Sequence, residues 1–282
     1  MDNKSGLWER LQNIDRRIIH ALIFILILAP LMWPIGFPVQ ISRGTQLAFD
    51  AIQAIPSGSL VLWSYEMAAA NEPELMPCAI AWFNQLMKKK CKIVTFAIYT
   101  EEGPIYAQRA YETLGKQYGY VYGEDFVVLP YRAGMETALA AIGRDIRSVF
   151  PQDFYRKNTA DLPLMQKIKG MSDFAMLLKT SGWNPDLHVR QLVTVYNMPM
   201  VANCTGIVAP GAMAYLSSGQ VKGLVGALAG AAEYERLLGL PGSATRAMDA
   251  QSTTHLLTVT LVLLGNIGYF ASRSQQRKEG KA

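Results

Sequence analysis

Apolar and polar positions along the chain fall into three patterns. Near the two ends lie uncharged runs, "IIHALIFILILAPLMWPIGF" at 18–37 and "THLLTVTLVLLGNIGYFA" at 254–271. Between them, short and nearly continuous apolar runs alternate with amphipathic stretches. The third pattern is "SSGQVKGLVGALAGAAEYE" at 217–235, apolar but interrupted by glycine.

The middle pattern predicts strands at "SLVLWSY" (59–65), "KIVTFAIYT" (92–100), "DFVVLPY" (125–131), "DFAMLLKT" (173–180) and "MPMVANCT" (198–205). It predicts helices at 73–90, 104–119, 135–150 and 185–197. Strands this uniformly apolar are buried on both faces, which argues for a parallel sheet covered by helices on each side. The expected fold is therefore α/β, a single parallel-sheet domain of the Rossmann-like, doubly wound kind. An N-terminal and a C-terminal transmembrane helix flank it.

The first apolar run is long enough to cross roughly 30 Å of hydrocarbon. The second is shorter and interrupted by Gly265, Asn266 and Gly268, so a buried core helix is its alternative. Charge decides between them. Lys4, Arg10, Arg16 and Arg17 precede the first run and Arg273, Arg277, Lys278 and Lys281 follow the second, which by the positive-inside rule places both termini in the cytoplasm and the long middle segment outside it. A cleavable signal peptide shares the basic and apolar regions of the first run. The length of that run, and the lack of a small-x-small site in "PIGFPVQIS", favour a retained anchor.

The expected organisation follows: 1–17 a cytoplasmic amphipathic segment with Leu7, Trp8, Leu11 and Ile14 on one stripe, lying in the bilayer interface; 18–37 the first span; 38–58 a connector. Residues 59–205 form the extracytoplasmic domain, 206–253 a Gly/Ala-rich helical connector, 254–271 the second span and 272–282 a basic cytoplasmic tail.

A net charge of +5 invites a nucleic-acid reading, but much of the excess sits in the tails, where it sets topology, and no nucleic-acid partner is expected. Cys78, Cys91 and Cys204 lack metal-ligand spacing and read as buried thiols. His20 and His255 fall in the membrane runs, and His188 stands on a helix with no second histidine. No metal and no cofactor is expected. The GxSxG elbow, the Walker lysine loop and the GxGxxG turn are all missing; after the first strand stands "YEMAAANEPE" instead.

Ligands of open parallel sheets bind beyond the carboxyl ends of the strands. Those ends carry Ser64, Tyr65 and Glu66; Thr100, Glu101 and Glu102; Tyr131 and Arg132; Lys179, Thr180 and Ser181; Asn203, Cys204 and Thr205. The candidate cleft is Glu66, Glu101, Glu102, Arg132 and Asn203. Glu66 and Glu101 are the expected acid and base, since neighbouring carboxylates take different proton affinities, and Arg132 would hold an anion or neutralise them.

Glycine inside a helix costs about 1 kcal/mol relative to alanine, so the glycine run needs an offset. Read as one helix, Gly219, Gly223, Gly226 and Gly230 with Ala227 and Ala231 make a nearly side-chain-free stripe for close approach of another helix. Glu233 and Glu235 would end it as solvated or partner-facing charges. The leading functional expectation is an interaction or assembly module, a subunit of a homo-oligomeric membrane complex whose partners are the lipid bilayer, further copies of itself and other membrane proteins, rather than an enzyme. The alternative is a membrane-tethered small-ligand binder or sensor, or a hydrolase, with its site at the carboxyl ends of the strands. Two uncharged spans argue against a transporter.

Overall fold

A computed structural model describes residues 14–278. The expected interfacial stripe through Leu7, Trp8 and Leu11, and the end of the basic tail, lie outside the described residues. The chain divides into two compact units, Val39–Ala244 and the pair of terminal segments Met1–Pro38 and Thr245–Ala282.

The larger unit is an α/β domain. Its strands are β1 Leu60–Glu66, β2 Lys92–Ala97, β3 Phe126–Tyr131, β4 Phe174–Ser181, β5 Met200–Cys204 and β6 Gly223–Gly226, all parallel, in the order β3-β2-β1-β4-β5-β6. This is the doubly wound order, in which the chain reverses direction across the sheet between β1 and β4. Successive residues of β1 serve opposite faces. Trp63 lies against Trp82 and Phe83 of the helix Glu72–Lys88, whereas Leu62 belongs to a core shared with Leu139, Ile142, Val189 and Leu192. Burial on both sides is why these strands read as unbroken apolar runs.

Helices are numbered along the chain: α1 Arg16–Met32, α2 Arg43–Ala54, α3 Glu72–Lys88, α4 Gly103–Ala110 and α5 Met135–Arg144. Next comes α6, which starts as Asp186–His188, widens into a π-helical turn at Val189–Val193 and ends as Thr194–Tyr196. The last three are α7 Ala209–Ser217, α8 Ala227–Leu238 and α9 Ser243–Lys278.

The glycine run departs from its reading as one helix. α7 stops at Ser217, Gly219 turns the chain at φ +76°, residues 223–226 form the edge strand β6, and only then does α8 begin, ending at Gly239 with φ +66°. The supposed stripe is thus spread over a turn, a strand and a helix. A four-residue apolar stretch carries too little periodicity to separate strand from helix, and packing decides. Here α2 lies on β6 with backbone against backbone: a Cβ on Gly223 would come within 2.2 Å of Ala48 Cα, and one on Gly44 within 2.7 Å of the Leu224 carbonyl oxygen. Gly230 packs less tightly, with a Cβ there meeting the Val225 side chain at 3.1 Å and the Thr45 hydroxyl at 3.4 Å. The glycines therefore serve close approach, but within the domain.

Glu233 and Glu235 also depart from expectation, since both are buried. Glu233 accepts from the backbone N–H and the hydroxyl of Ser42, at 3.0 and 2.6 Å, and so ties α8 to the cap of α2. Glu235 accepts from the N–H groups of Gly242 and Ala244 at 2.8 and 3.0 Å, satisfying donors at the start of α9 that have no partner within the helix. Segments 39–58 and 206–244 are accordingly part of the sheet unit.

In the smaller unit, α9 is, among the described residues, the one helix long and apolar enough to cross a membrane, over Ser243–Ser274. Leu256, Val259, Val262, Leu263, Ile267 and Phe270 stand uncovered along it. The first apolar run is helical only to Met32, because Pro34, Gly36 at φ +73° and Pro38 stop it. Its 17 residues rise about 26 Å, short of the hydrocarbon thickness. Pro30 lies inside α1 and has no N–H to offer the Leu26 carbonyl. The Thr253 hydroxyl of α9 donates to that carbonyl at 2.7 Å, closer than the carbonyls of its own helix at 3.0 and 3.1 Å. One turn away, the buried Asp249 carboxylate accepts from the backbone N–H groups of Ile35, Gly36 and Phe37 at 2.8, 2.8 and 3.0 Å.

Candidate functional site

A doubly wound sheet opens a crevice where its strand order reverses, at the carboxyl ends of β1 and β4. The register places Ser64 beside Lys179 and Glu66 beside Ser181. Because strand residues alternate between faces, Ser64, Glu66, Lys179 and Ser181 share one face, the one that α6 covers, and α6 adds His188. All five side chains are completely buried.

Glu66 is the hub. Beyond the end of β2 the chain turns its next three N–H groups onto this side chain, so Glu66 accepts from Ile98 at 2.7 Å, Tyr99 at 2.8 Å and Thr100 at 3.3 Å. A fourth bond comes from the Ser64 hydroxyl at 2.9 Å. Burial holds the carboxyl above its ordinary pKa, against the pull of these donors and of the nearby Lys179 charge.

His188 Nε2 lies 2.8 Å from Ser64 Oγ. The single hydroxyl proton of Ser64 is given to Glu66, so His188 donates through Nε2–H, and Nδ1 carries the lone pair. That Nδ1 is buried and has no hydrogen-bond partner among the described residues. Burial, and then the Lys179 charge, push the imidazole well below its usual value and keep it neutral. A π-helical turn follows His188 directly, a distortion often found at functional positions.

Lys179 Nζ donates to the Trp183 carbonyl at 2.7 Å and sits 5.6 Å from the centre of the Tyr99 ring. Among the described residues no carboxylate forms an ion pair with it. Burial lowers its pKa to about 8, although Cys204, Glu66 and Asp186 pull upward. Above the network Tyr99 and Trp183 stack, ring centres 5.2 Å apart and planes 5° apart, with Trp183 38% exposed. Outside them Arg190 bridges Glu136 at 3.1 Å and Asp186 at 3.3 Å.

The expected cleft residues divide. Glu66 stands at the centre, while Glu101, Glu102 and Arg132 are exposed at the same edge. Glu102 accepts from the Ala69 N–H at 2.7 Å and so holds the loop after β1. No hydrogen bond or ion pair joins Glu66, Glu101 and Arg132 among the described residues. Asn203 is buried on the opposite face, donating to the Leu75 carbonyl at 3.0 Å, and its Oδ1 has no partner among the described residues. Ser64 and Lys179 were legible as strand ends, but their pairing with His188 was not. The only sequence signal for it was a lysine and a histidine in or near otherwise apolar segments.

The place where a dinucleotide pyrophosphate meets the first helix of this fold is occupied by the protein itself. Glu72 and Glu74 lie in the first turn of α3, and Glu74 Oε1 accepts from the Gly206 N–H at 2.6 Å. Carboxylates at a helix N-terminus already satisfy the dipole and would repel a phosphate, so these residues do not fit that group. Among the described residues no cluster of His, Cys, Asp and Glu is arranged to hold a metal ion. Comparison with protein-family models, with curated proteins and with solved structures gives no match to this chain, and the reading of its site rests on geometry.

Proposed function

We propose that this protein is a membrane-tethered receptor or sensor whose α/β domain, held outside the cytoplasm, binds a small polar ligand in the crevice between β1 and β4. One observation carries the reading: Glu66, Lys179 and His188 are sealed together beneath a single aromatic lid where the strand order reverses, with one acceptor, His188 Nδ1, left unpartnered. Stability does not call for this arrangement, because well-packed apolar residues in place of buried charges are often neutral or stabilising. Buried groups with shifted proton affinities in a crevice are the usual mark of a working site. The rival reading as an assembly module loses one of its supports, the glycine stripe, since Gly223 and Gly230 are used inside the domain.

The tether is a helical hairpin in which α9 is the full-length span and α1, whose 17 residues stand at the lower end of the spanning range, crosses beside it, with both termini cytoplasmic. In lipid a carbonyl freed by proline needs another donor, and the Thr253 bond to Leu26 supplies one. The basic flanks set the orientation. A reporter fused after Ala282 that is active only outside the cytoplasm would overturn this topology.

The ligand reading is tested by thermal unfolding of the full-length protein in detergent against a panel of small polar metabolites. At least one compound should raise the midpoint by several degrees, and the gain should vanish in Lys179→Met. A panel without effect on the wild type counts against the reading.

A further inference from the structure

Hydrogen-bonding capacity in the buried network is almost entirely used. Glu66 accepts four bonds, and Ser64 gives its proton to Glu66 and accepts from His188. Apart from the hydroxyl proton of Ser181, whose oxygen accepts from the Trp183 N–H at 3.0 Å, two capacities remain open. Lys179 gives one N–H to the Trp183 carbonyl and has no carboxylate in ion-pair contact among the described residues. His188 keeps a bare Nδ1. Both groups border Tyr99, the ammonium at 5.6 Å and the imidazole at 6.0 Å from its ring centre. A desolvated amine and a neutral base with an open lone pair, both bordering the one Tyr99 ring, suit neither an anion, which would meet the lone pair, nor a cation, which would meet the ammonium. They suit a carbonyl carbon.

Resting on the ligand-binding reading, we propose that the ligand class is an aldehyde or ketone, held as an imine of Lys179. The neutral Nζ attacks the carbonyl carbon, forming the C–N bond while the carbonyl π electrons move to oxygen, which takes up one of the two protons of that nitrogen and leaves the other on it. His188 Nδ1 accepts the proton that nitrogen gives up and returns it to the hydroxyl, which leaves as water as the C=N bond closes. The sum is carbonyl plus amine to imine plus water, with no oxidant or reductant. The lid is coupled to the step where its opening carries the Trp183 backbone with it, because the acceptor that holds Lys179 is the Trp183 carbonyl. With its pKa lowered to about 8, Lys179 presents on the order of a hundredfold more neutral amine near pH 7.5 than a surface lysine does.

The test uses the full-length protein in detergent with propionaldehyde, an uncharged carbonyl compound, and cyanoborohydride, which turns an imine into a stable secondary amine that peptide mass mapping locates. Lys179 should be labelled on the order of a hundredfold faster than exposed lysines such as Lys88 and Lys116. Its rate should rise with pH and level off above about 8, Trp183→Ala should quicken it, and Lys179→Arg should abolish it. Labelling confined to surface lysines overturns the proposal, as does labelling of Lys179 only in Trp183→Ala, because the native protein would then never admit the carbonyl. If a panel compound raises the unfolding midpoint but nothing is trapped on Lys179, the imine is wrong and the ligand reading stands. If neither occurs, both fall.

Discussion

Two sides of one strand show how differently this sheet is used. Trp63 and Tyr65 point to one face of β1 and Ser64 and Glu66 to the other, and all four are fully buried. On the first face an aromatic layer continues from Trp63 to Phe83 at 4.4 Å and Trp82 at 5.7 Å, and from Trp82 to Tyr234 at 6.2 Å. Its polar tips are few and mostly paired within the face, as where Trp63 Nε1 donates to Thr180 at 3.1 Å and Tyr234 donates to Gln85, although Trp82 Nε1 and Asn203 Oδ1 have no partner among the described residues. On the second face the same depth of burial is given to a carboxylate, an amine and an imidazole. Apolar burial stabilises in proportion to area, whereas buried charge gains nothing comparable. The comparison teaches that one face is built from contacts that hold the domain together, while the other buries charged and polar groups that stability does not require.

The comparison breaks most visibly at Trp63. Trp63→Ala should lower the unfolding free energy by about 3–5 kcal/mol, read by denaturant titration, because it empties the centre of the aromatic layer. A loss under about 1 kcal/mol would mean that this layer is not the stabilising face.

Lys179→Met should do the opposite, leaving stability at pH 7 unchanged or raising it by about 1–4 kcal/mol. Its pH dependence sharpens the point. The folded-state pKa of Lys179 lies near 8, below the value of about 10.4 in the unfolded chain. Between those values the unfolded state binds more protons, so stability rises with pH there. The advantage of the methionine variant should therefore be full below pH 8 and shrink by about 3 kcal/mol as pH climbs towards 10.4. A gap that stays constant across that window would show that the amine is solvated in the folded protein.

Glu66→Gln keeps the shape but turns an amide NH2 towards backbone donors. It should cost about 1–3 kcal/mol in thermal or chemical unfolding and abolish any ligand-induced stabilisation. His188 gives the smallest effect at neutral pH. Its proton affinity is depressed in the folded state, so the unfolded chain takes up the extra proton, and each pH unit below about 6.5 should remove about 1.4 kcal/mol until the folded imidazole titrates. His188→Gln should flatten that acid limb relative to wild type. Parallel acid limbs in the two proteins would place the acid sensitivity elsewhere.

How far the fold was readable depended on the segment. The apolar runs that became β1 to β5 announced themselves because each is covered on both faces, and Glu66 was visible as a polar residue ending one of them. β6 was not, because "GLVG" is too short to show a period and its strand form depends on α2 lying on Gly223. The first span was over-read at its end, where an uncharged composition hid the turn-forming Pro34, Gly36 and Pro38.

By itself the sequence determined the alternation of strands and helices, the apolar terminal segments and the carboxylates where a phosphate-binding glycine turn would stand. These are local properties, set by residue type and short-range spacing. Only the tertiary structure decided that Lys179 lies beside Ser64, that His188 returns to the same hydroxyl and that the glycine run splits into turn, strand and helix. The pairing of β1 with β4 and the docking of α6 on β1 and of α2 on β6 come from contacts between residues more than a hundred positions apart, and no local period encodes which distant partner a buried polar side chain will meet.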